Sequence, residues 1–176
     1  GRAMDDEIIS ALIGTAKTGA SGSTSTALPS AQKIGHGSAG LTIAKLVSAK
    51  KILDEASVDP SIPRYIAVAP EQIEDLLNST TVTSADFNTV KALVQGEIDT
   101  FVGFKFIVTN RLTDDGTSRQ CIAWAEDGLK LAIGKDVNAR ISERADKSYA
   151  TQVYYCMSIG ASRMEETKVV EIACNE

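Results

Sequence analysis

One histidine, His36, is all that this 176-residue chain offers. A Ser-His-Asp triad or a Cys-His pair has a single imidazole to draw on, and a multi-histidine metal site is excluded. The three cysteines, Cys121, Cys156 and Cys174, are an odd and unclustered set in apolar surroundings. There they act as small hydrophobes, which argues against a disulfide framework and fits a reducing compartment. Aromatic residues are scarce at 5%, so aliphatic packing must dominate the core. No apolar run approaches the roughly 18 residues of a membrane span, and the opening residues do not read as a charged-then-apolar leader. A basic excess is lacking too: 18 Lys and Arg face 23 Asp and Glu, a net charge of -5. With no general positive field to gather phosphates, sequence-specific or duplex nucleic-acid binding is not expected.

What is present is ordinary for a globular protein, 43% apolar and 23% charged. A chain of this size buries roughly 70% of its unfolded surface and needs no staples, as one domain or as two small lobes sharing a core. Residues 1–4, GRAM, read as a cloning remnant. Residues 5–17 place Ile8, Ile9, Leu12 and Ile13 at helical spacing behind Asp5, Asp6 and Glu7, charges that suit a helix N-terminus. Residues 18–40 are rich in Gly, Ser, Thr and Ala, with Leu28 and Ile34 as scattered anchors, and predict a flexible surface loop. A second helix is predicted over 41–58, with Ile43, Leu46, Val47, Ile52 and Leu53 on one side and Lys45, Lys50, Lys51, Asp54 and Glu55 largely on the other.

Beyond Asp59, Pro60 and Pro63 the texture becomes α/β. Residues 64–69 read as a strand and 71–78 as the helix after it, with Pro70 suited to the first turn. Ser84 is a plausible N-cap for a helix bearing Phe87, Val90, Leu93 and Val94 and ending at Gly96. A strand over 101–109 follows, with Gly103 marking a place where backbone must turn or approach closely. Asp114, Asp115 and Gly116 mark a turn, 120–124 a strand, and 126–133 a short helix closed by Gly134. Strands complete the chain over 137–143, 151–161 and 168–174, and these terminal strands are expected to pack with the two early helices.

Catalytic patterns do not survive inspection. In Gly35-His36-Gly37-Ser38-Ala39-Gly40 the histidine stands where a nucleophile elbow requires glycine, and no strand precedes it. Between Gly128 and Gly134 there is one residue too many for a phosphate loop, and Asp136 replaces the magnesium-binding hydroxyl. Paired carboxylates such as Asp114 with Asp115, or Glu165 with Glu166, sit in turn-like settings where solvation is the default. The run Arg140, Glu143, Arg144, Asp146, Lys147 is different. Its signs alternate over eight residues, which supports reciprocal ion pairs with a neighbouring copy as readily as an ordinary solvated loop.

A family resemblance bears on that choice. The phrases RYIAVAPEQIEDLLN, DTFVGFKFIVTNRL, CIAWAEDGLKLAIG and ISERADKSYATQVYYCMSIGASRMEETKVVEIA follow a long spine-like helix in order. Together they resemble the major capsid proteins of tailed phages with the Hong Kong 97-like fold. The resemblance implies an α/β (α+β) architecture: a peripheral P domain with a long spine helix, from residues 5–57 and 137–176, and an axial A domain with a central sheet flanked by helices, 58–136.

It further implies a structural protein of the virion, made in the bacterial host cytoplasm, with no catalytic residues, no cofactor and no metal. The implied partners are copies of itself in pentamers and hexamers of an icosahedral shell enclosing DNA, with scaffolding, portal or cement proteins besides and no membrane. Arg140, Glu143, Arg144, Asp146 and Lys147 then fall at an intersubunit contact near a three-fold axis. Members carry an N-terminal arm and a two-stranded E-loop that are not found in this sequence, so the chain by itself is expected to be monomeric or weakly associating. The alternatives are an encapsulin-like compartment shell, or a small α/β enzyme or ligand-binding domain using 18–40 as a lid, which would show a deep polar pocket with a tuned carboxylate.

Overall fold

Three apolar runs, YIAV, CIAWA and VVEIAC, have the near-continuous pattern of strands buried on both faces. In a computed structural model, which describes residues 1–14, 16–18, 24–78 and 100–175, all three are central strands of one sheet. The elements run α1 (Arg2–Ile13), β1 (Ala16–Thr18), β2 (Thr24–Thr26), β3 (Lys33–Ile34), α2 (Ile43–Glu55), β4 (Arg64–Val68), α3 (Pro70–Asn78), β5 (Thr100–Phe101), β6 (Phe104–Val108), β7 (Ser118–Ala125), β8 (Leu129–Arg144), β9 (Ala150–Arg163) and β10 (Val169–Asn175). The six-stranded sheet has the order β3-β10-β7-β4-β6-β5, while β1 pairs with β2 and β8 with β9 in separate two-stranded ribbons. The β4–β6 and β10–β3 pairs are parallel and the rest antiparallel. The helix predicted between Ser84 and Gly96 lies outside the described residues.

Strand alternation assigns the two covers of this sheet. Tyr65 stacks on its cross-strand partner Trp124 with ring centroids 5.8 Å apart, on the face where Ile8, Ile9 and Leu12 of α1 meet Ala67 and Ile122. The opposite face carries Arg64, whose guanidinium pairs with Asp54 of α2 at 2.7 Å. Leu46, Ala49 and Leu53 of α2 are fully buried in the same core. The Thr42 hydroxyl caps α2 by accepting from the Lys45 N–H at 3.3 Å, removing one of the orphan donors of a helix N-terminus. The Asp75 carboxylate of α3 accepts from the Leu41 N–H at 3.4 Å, beside the start of α2. Both expected domains contribute to this one sheet: β3 and β10 come from residues 5–57 and 137–176, and β4 to β7 from 58–136.

Several local expectations are corrected. Residues 126–133 form no helix: a 3₁₀ turn at Glu126–Gly128 leads straight into β8. Leu129, Leu131 and Ile133 alternate as a strand does, and pairing with Arg163, Ala161 and Ile159 decides the ambiguity of a short apolar run. The strand predicted over 101–109 is a hairpin in which Phe101 pairs with Phe104. Its two turn residues, Val102 (φ 54) and Gly103 (φ 84), are both left-handed, the geometry that joins strands through two residues. Val47, expected on the buried side of α2, is 51% exposed. Finally, 24–40 is not an irregular loop throughout. It contains β2, a 3₁₀ turn at Ser30–Gln32 and β3, and it buries Leu28.

Lys45 is the reason so polar a segment holds its course over 36–41. Its ammonium donates to the carbonyls of His36 (2.8 Å), Ala39 (2.6 Å), Gly40 (2.8 Å) and Ala173 (2.9 Å). Burial lowers its pKa from the ordinary lysine value. The side chain was expected among the polar residues of α2; the helix instead turns it inward to bind the segment and β10 together.

Candidate assembly surface

The sequence from Leu129 to Arg163 pairs with itself rather than with the sheet. Its backbone groups are satisfied by the ladder that runs from Leu129↔Arg163 to Arg144↔Ala150. At about 3.4 Å per residue the sixteen residues of β8 span roughly 50 Å. The register slips between Ile133 and Lys135 and again between Lys135 and Asn138, two bulges that bend and twist a ribbon. All of residues 130–151 are exposed. The outer part of the hairpin thus leaves the core altogether.

One buried cation fixes the base. The Arg163 guanidinium, its side chain wholly shielded from solvent, donates to the carbonyls of Leu12 (3.1 Å), Gly14 (3.2 Å) and Thr26 (2.9 Å) and more distantly to Ala11 (3.5 Å). Three of these acceptors lie at the C-terminal end of α1, where helix carbonyls have no partner of their own and a positive charge is favoured. Close by, the Met164 N–H donates to the Gly128 carbonyl at 2.9 Å, joining the roots of the two strands.

The five charged residues singled out above all lie at the outer end of this hairpin. Arg144 binds Asp146 with both limbs of its fork, Nε to Oδ1 at 2.9 Å and Nη2 to Oδ2. That hydrogen bonding holds the Asp146 carboxyl below the usual carboxylate range. The pair closes within one chain. Among the described residues Arg140, Glu143 and Lys147 make no ion pair. Arg140 stands opposite Tyr154 and Glu143 opposite Thr151, so these two side chains leave opposite faces of the ribbon, and Lys147 ends the 3₁₀ turn Ala145–Lys147. The tip that follows places Ser148 (φ 51) and Tyr149 (φ 58) in consecutive left-handed conformations, strained for residues other than glycine.

The sequence reading missed the apolar part of this surface. Cross-strand pairs Ala139↔Tyr155 and Ile141↔Val153 share one face, and Ile141 is 72%, Val153 68% and Tyr155 54% exposed. The alternation in NARIS and TQVYY carried the signal, but those strands were expected to pack with helices.

The geometry expected of the enzyme alternative is not met by the cleft that α2 and β4 enclose. That cleft, of about 520 Å³, is lined by Lys50, Asp54, Arg64, Gly103 and the segment 57–63. Of that expected lid, the described residues 24–40 do not line it, and its Asp54 is engaged by Arg64. Among the described residues no three His, Cys, Asp or Glu side chains gather as a metal site, and no helix is long and apolar enough to cross a membrane.

A family model described as phage capsid protein matches residues 1–176. The chain belongs to that family. The capsid of Ralstonia phage GP4 superposes with a TM-score of 0.70 at 10% identity, covering 99% of this chain and 63% of that one. A subunit of the cyanophage Pam1 capsid asymmetric unit gives 0.69 at 13% identity, covering 99% and 64%. The holo-SrpI encapsulin complex of Synechococcus elongatus PCC 7942 gives 0.58 at 10% identity, covering 98% and 62%. No curated protein sequence matches. The fold is the Hong Kong 97-like capsid fold, and this capsid-family chain spans less than two thirds of the length of each of these three relatives.

Proposed function

We propose that this chain is the greater part of a major capsid subunit whose full-length form assembles with copies of itself into a closed icosahedral shell around phage DNA. The observation that carries the reading is the family match along the whole chain. A ribbon of 130–151 with no core of its own to cover supports it, since such a surface is of use only against another molecule. In this reading residues 5–57 with 137–176 form the peripheral domain and 58–136 the axial domain. Arg140, Glu143 and Lys147 meet neighbouring subunits near a three-fold axis, while Arg144 and Asp146 shape the tip that presents them.

The role is structural, without catalysis, and its place is the virion after synthesis in the host cytoplasm. Scaffolding, portal or cement proteins are further partners. A net charge of -5 suits a container that must hold DNA without gripping it. The likeness to an encapsulin favours a second reading, a compartment shell with protein cargo. Electron microscopy of the product of the uninterrupted reading frame tests both: closed shells are expected, and their contents, DNA in infected cells or protein, separate the two. Soluble product with no shells under any assembly condition refutes both.

A further inference from the structure

We propose that the cleft between α2 and β4 binds the carboxylate of a peptide, an acidic side chain or a chain end, through Arg64 and Lys50. This goes past the capsid reading and does not depend on it.

The cation on its inner wall is only partly used. Arg64 is buried, its side chain 6% exposed, and a charge so placed calls for partners on its donors. Its Nη2 group donates to Asp54 Oδ1 at 2.7 Å and to the Val58 carbonyl at 3.2 Å. Among the described residues Nε and Nη1 have no partner, and neither is sealed away from open space. Because Arg64 lines the cleft, the remaining N–H donors of its guanidinium open into it.

A second cation stands beside them. Lys50 precedes Asp54 by one turn of α2, which sets their Cβ atoms about 5 to 6 Å apart. Its ammonium lies 3.6 Å from the point that a Cβ on Gly103 would occupy, between the helix and the β5–β6 turn. Among the described residues Lys50 makes no ion pair, whereas the neighbouring Lys51 is closed on Glu55 at 3.5 Å.

The rest of the wall selects the ligand. Asp54 and Asp59 match the two cations charge for charge, so a dense polyanion such as a nucleic-acid backbone meets as much repulsion as attraction there. A single carboxylate takes up the unspent donors through charge-assisted hydrogen bonds. Asp54 accepts from Arg64 through one oxygen, which leaves the other for a peptide N–H. Val58, Pro60, Ile62 and Pro63 give the cleft an apolar side. Its volume of about 520 Å³ falls in the range of ligand sites, about 300 to 1,000 Å³, and exceeds what a lone anion fills. A carboxylate, N–H donors and an apolar body together describe a short peptide segment.

The test titrates the isotope-labelled 176-residue chain and follows the Arg64 Nε–H resonance by NMR. The probes are acetyl-tetra-alanine with a free C-terminus, its C-terminal amide, that amide with glutamate at one inner position, and sodium phosphate. Each is taken to about 20 mM, where a millimolar site is filled. Saturable movement is expected from the free chain end, the glutamate peptide or both, and the tighter of the two identifies the source of the carboxylate. The plain amide should leave the resonance in place. Lys50→Gln, a change at an exposed residue, should keep the parent's melting curve and weaken binding about fivefold. Lys51→Gln should bind as the parent does. The proposal is overturned if the amide moves the resonance as far as the carboxylates, if no peptide moves it, or if phosphate binds more tightly than either carboxylate. It is equally overturned if Lys50→Gln binds like the parent, or if Lys51→Gln weakens binding as much. Closed shells from the full reading frame with no such binding overturn this inference and leave the capsid reading standing.

Discussion

Replacing Arg163 with Met should cut the mooring of the hairpin while leaving the volume of the side chain largely filled. The guanidinium contributes three short hydrogen bonds, to Leu12, Gly14 and Thr26. Gly14 and Thr26 are only partly buried and water can replace the lost donor there, but Leu12 is 1% exposed and its carbonyl is left orphaned. A buried acceptor without a partner costs about 1 to 3 kcal/mol, and a bond from a charged donor contributes about 1.5 to 3. Relief from burying a cation offsets part of that total, so the net loss should be about 2 to 3 kcal/mol. For a chain of this size the melting temperature then falls by roughly 4 to 12 °C.

Differential scanning calorimetry reads the fall, and hydrogen exchange should localise it to the amides of β9 next to α1. Arg163→Lys should lose an intermediate amount, because an ammonium is a point charge and cannot fork between the end of α1 and Thr26. In the full-length product both variants should yield fewer closed shells than their stability alone accounts for. The reasoning fails if Arg163→Met melts within about 2 °C of the parent, or if Lys serves as well as Arg.

Lys45→Met, which strips four carbonyls of their shared donor, should cost about 2 kcal/mol. It should speed exchange of the Asn175 amide, which donates to the Ala39 carbonyl, and unchanged exchange would show that the segment holds without the cation. Arg144→Glu sets like charges beside Asp146; the isolated chain should melt within about 2 °C of the parent, whereas sedimentation of the full-length product should show lost or salt-dependent shells. NMR titration of the same variant should show the Asp146 carboxyl returning toward its ordinary range. In acid, hydrogen bonds hold the Asp6, Asp59, Asp115 and Asp146 carboxyls below the usual carboxylate range. Groups depressed on folding stabilise above the unfolded value and lose that contribution as pH falls through the folded one. Melting temperature should therefore hold down to about pH 4 and drop below it, less steeply in Asp115→Ala.

The central sheet was legible because its strands are short, apolar on both faces and bounded by breakers. Arg64–Val68, Ser118–Ala125 and Val169–Asn175 all fall where the residues suggest, and α3 begins at Pro70 as its ring favours. LKLAIG was misread because five residues do not separate a helical from a strand period when glycine follows. Lys45 was misread because helical spacing assigns a face by polarity, and a cation that binds carbonyls belongs inside. At the candidate surface, nearness in sequence was enough to group Arg140 through Lys147 on one tip. Their pairing depended on χ angles that no pattern encodes, and the face of Ile141 and Val153 was hidden by the assumption that apolar strands always find the core.

The continuity of the sheet has a mechanical consequence. Seven residue pairs of β10 and β7 stitch together, in one unbroken ladder, regions that a capsid subunit would present to different neighbours. Such a subunit is a rigid tile. When it sits at vertices of unequal curvature, the change of angle has to be absorbed at its rim, where the twisted ribbon held at its root by Arg163 is the one long lever available among the described residues.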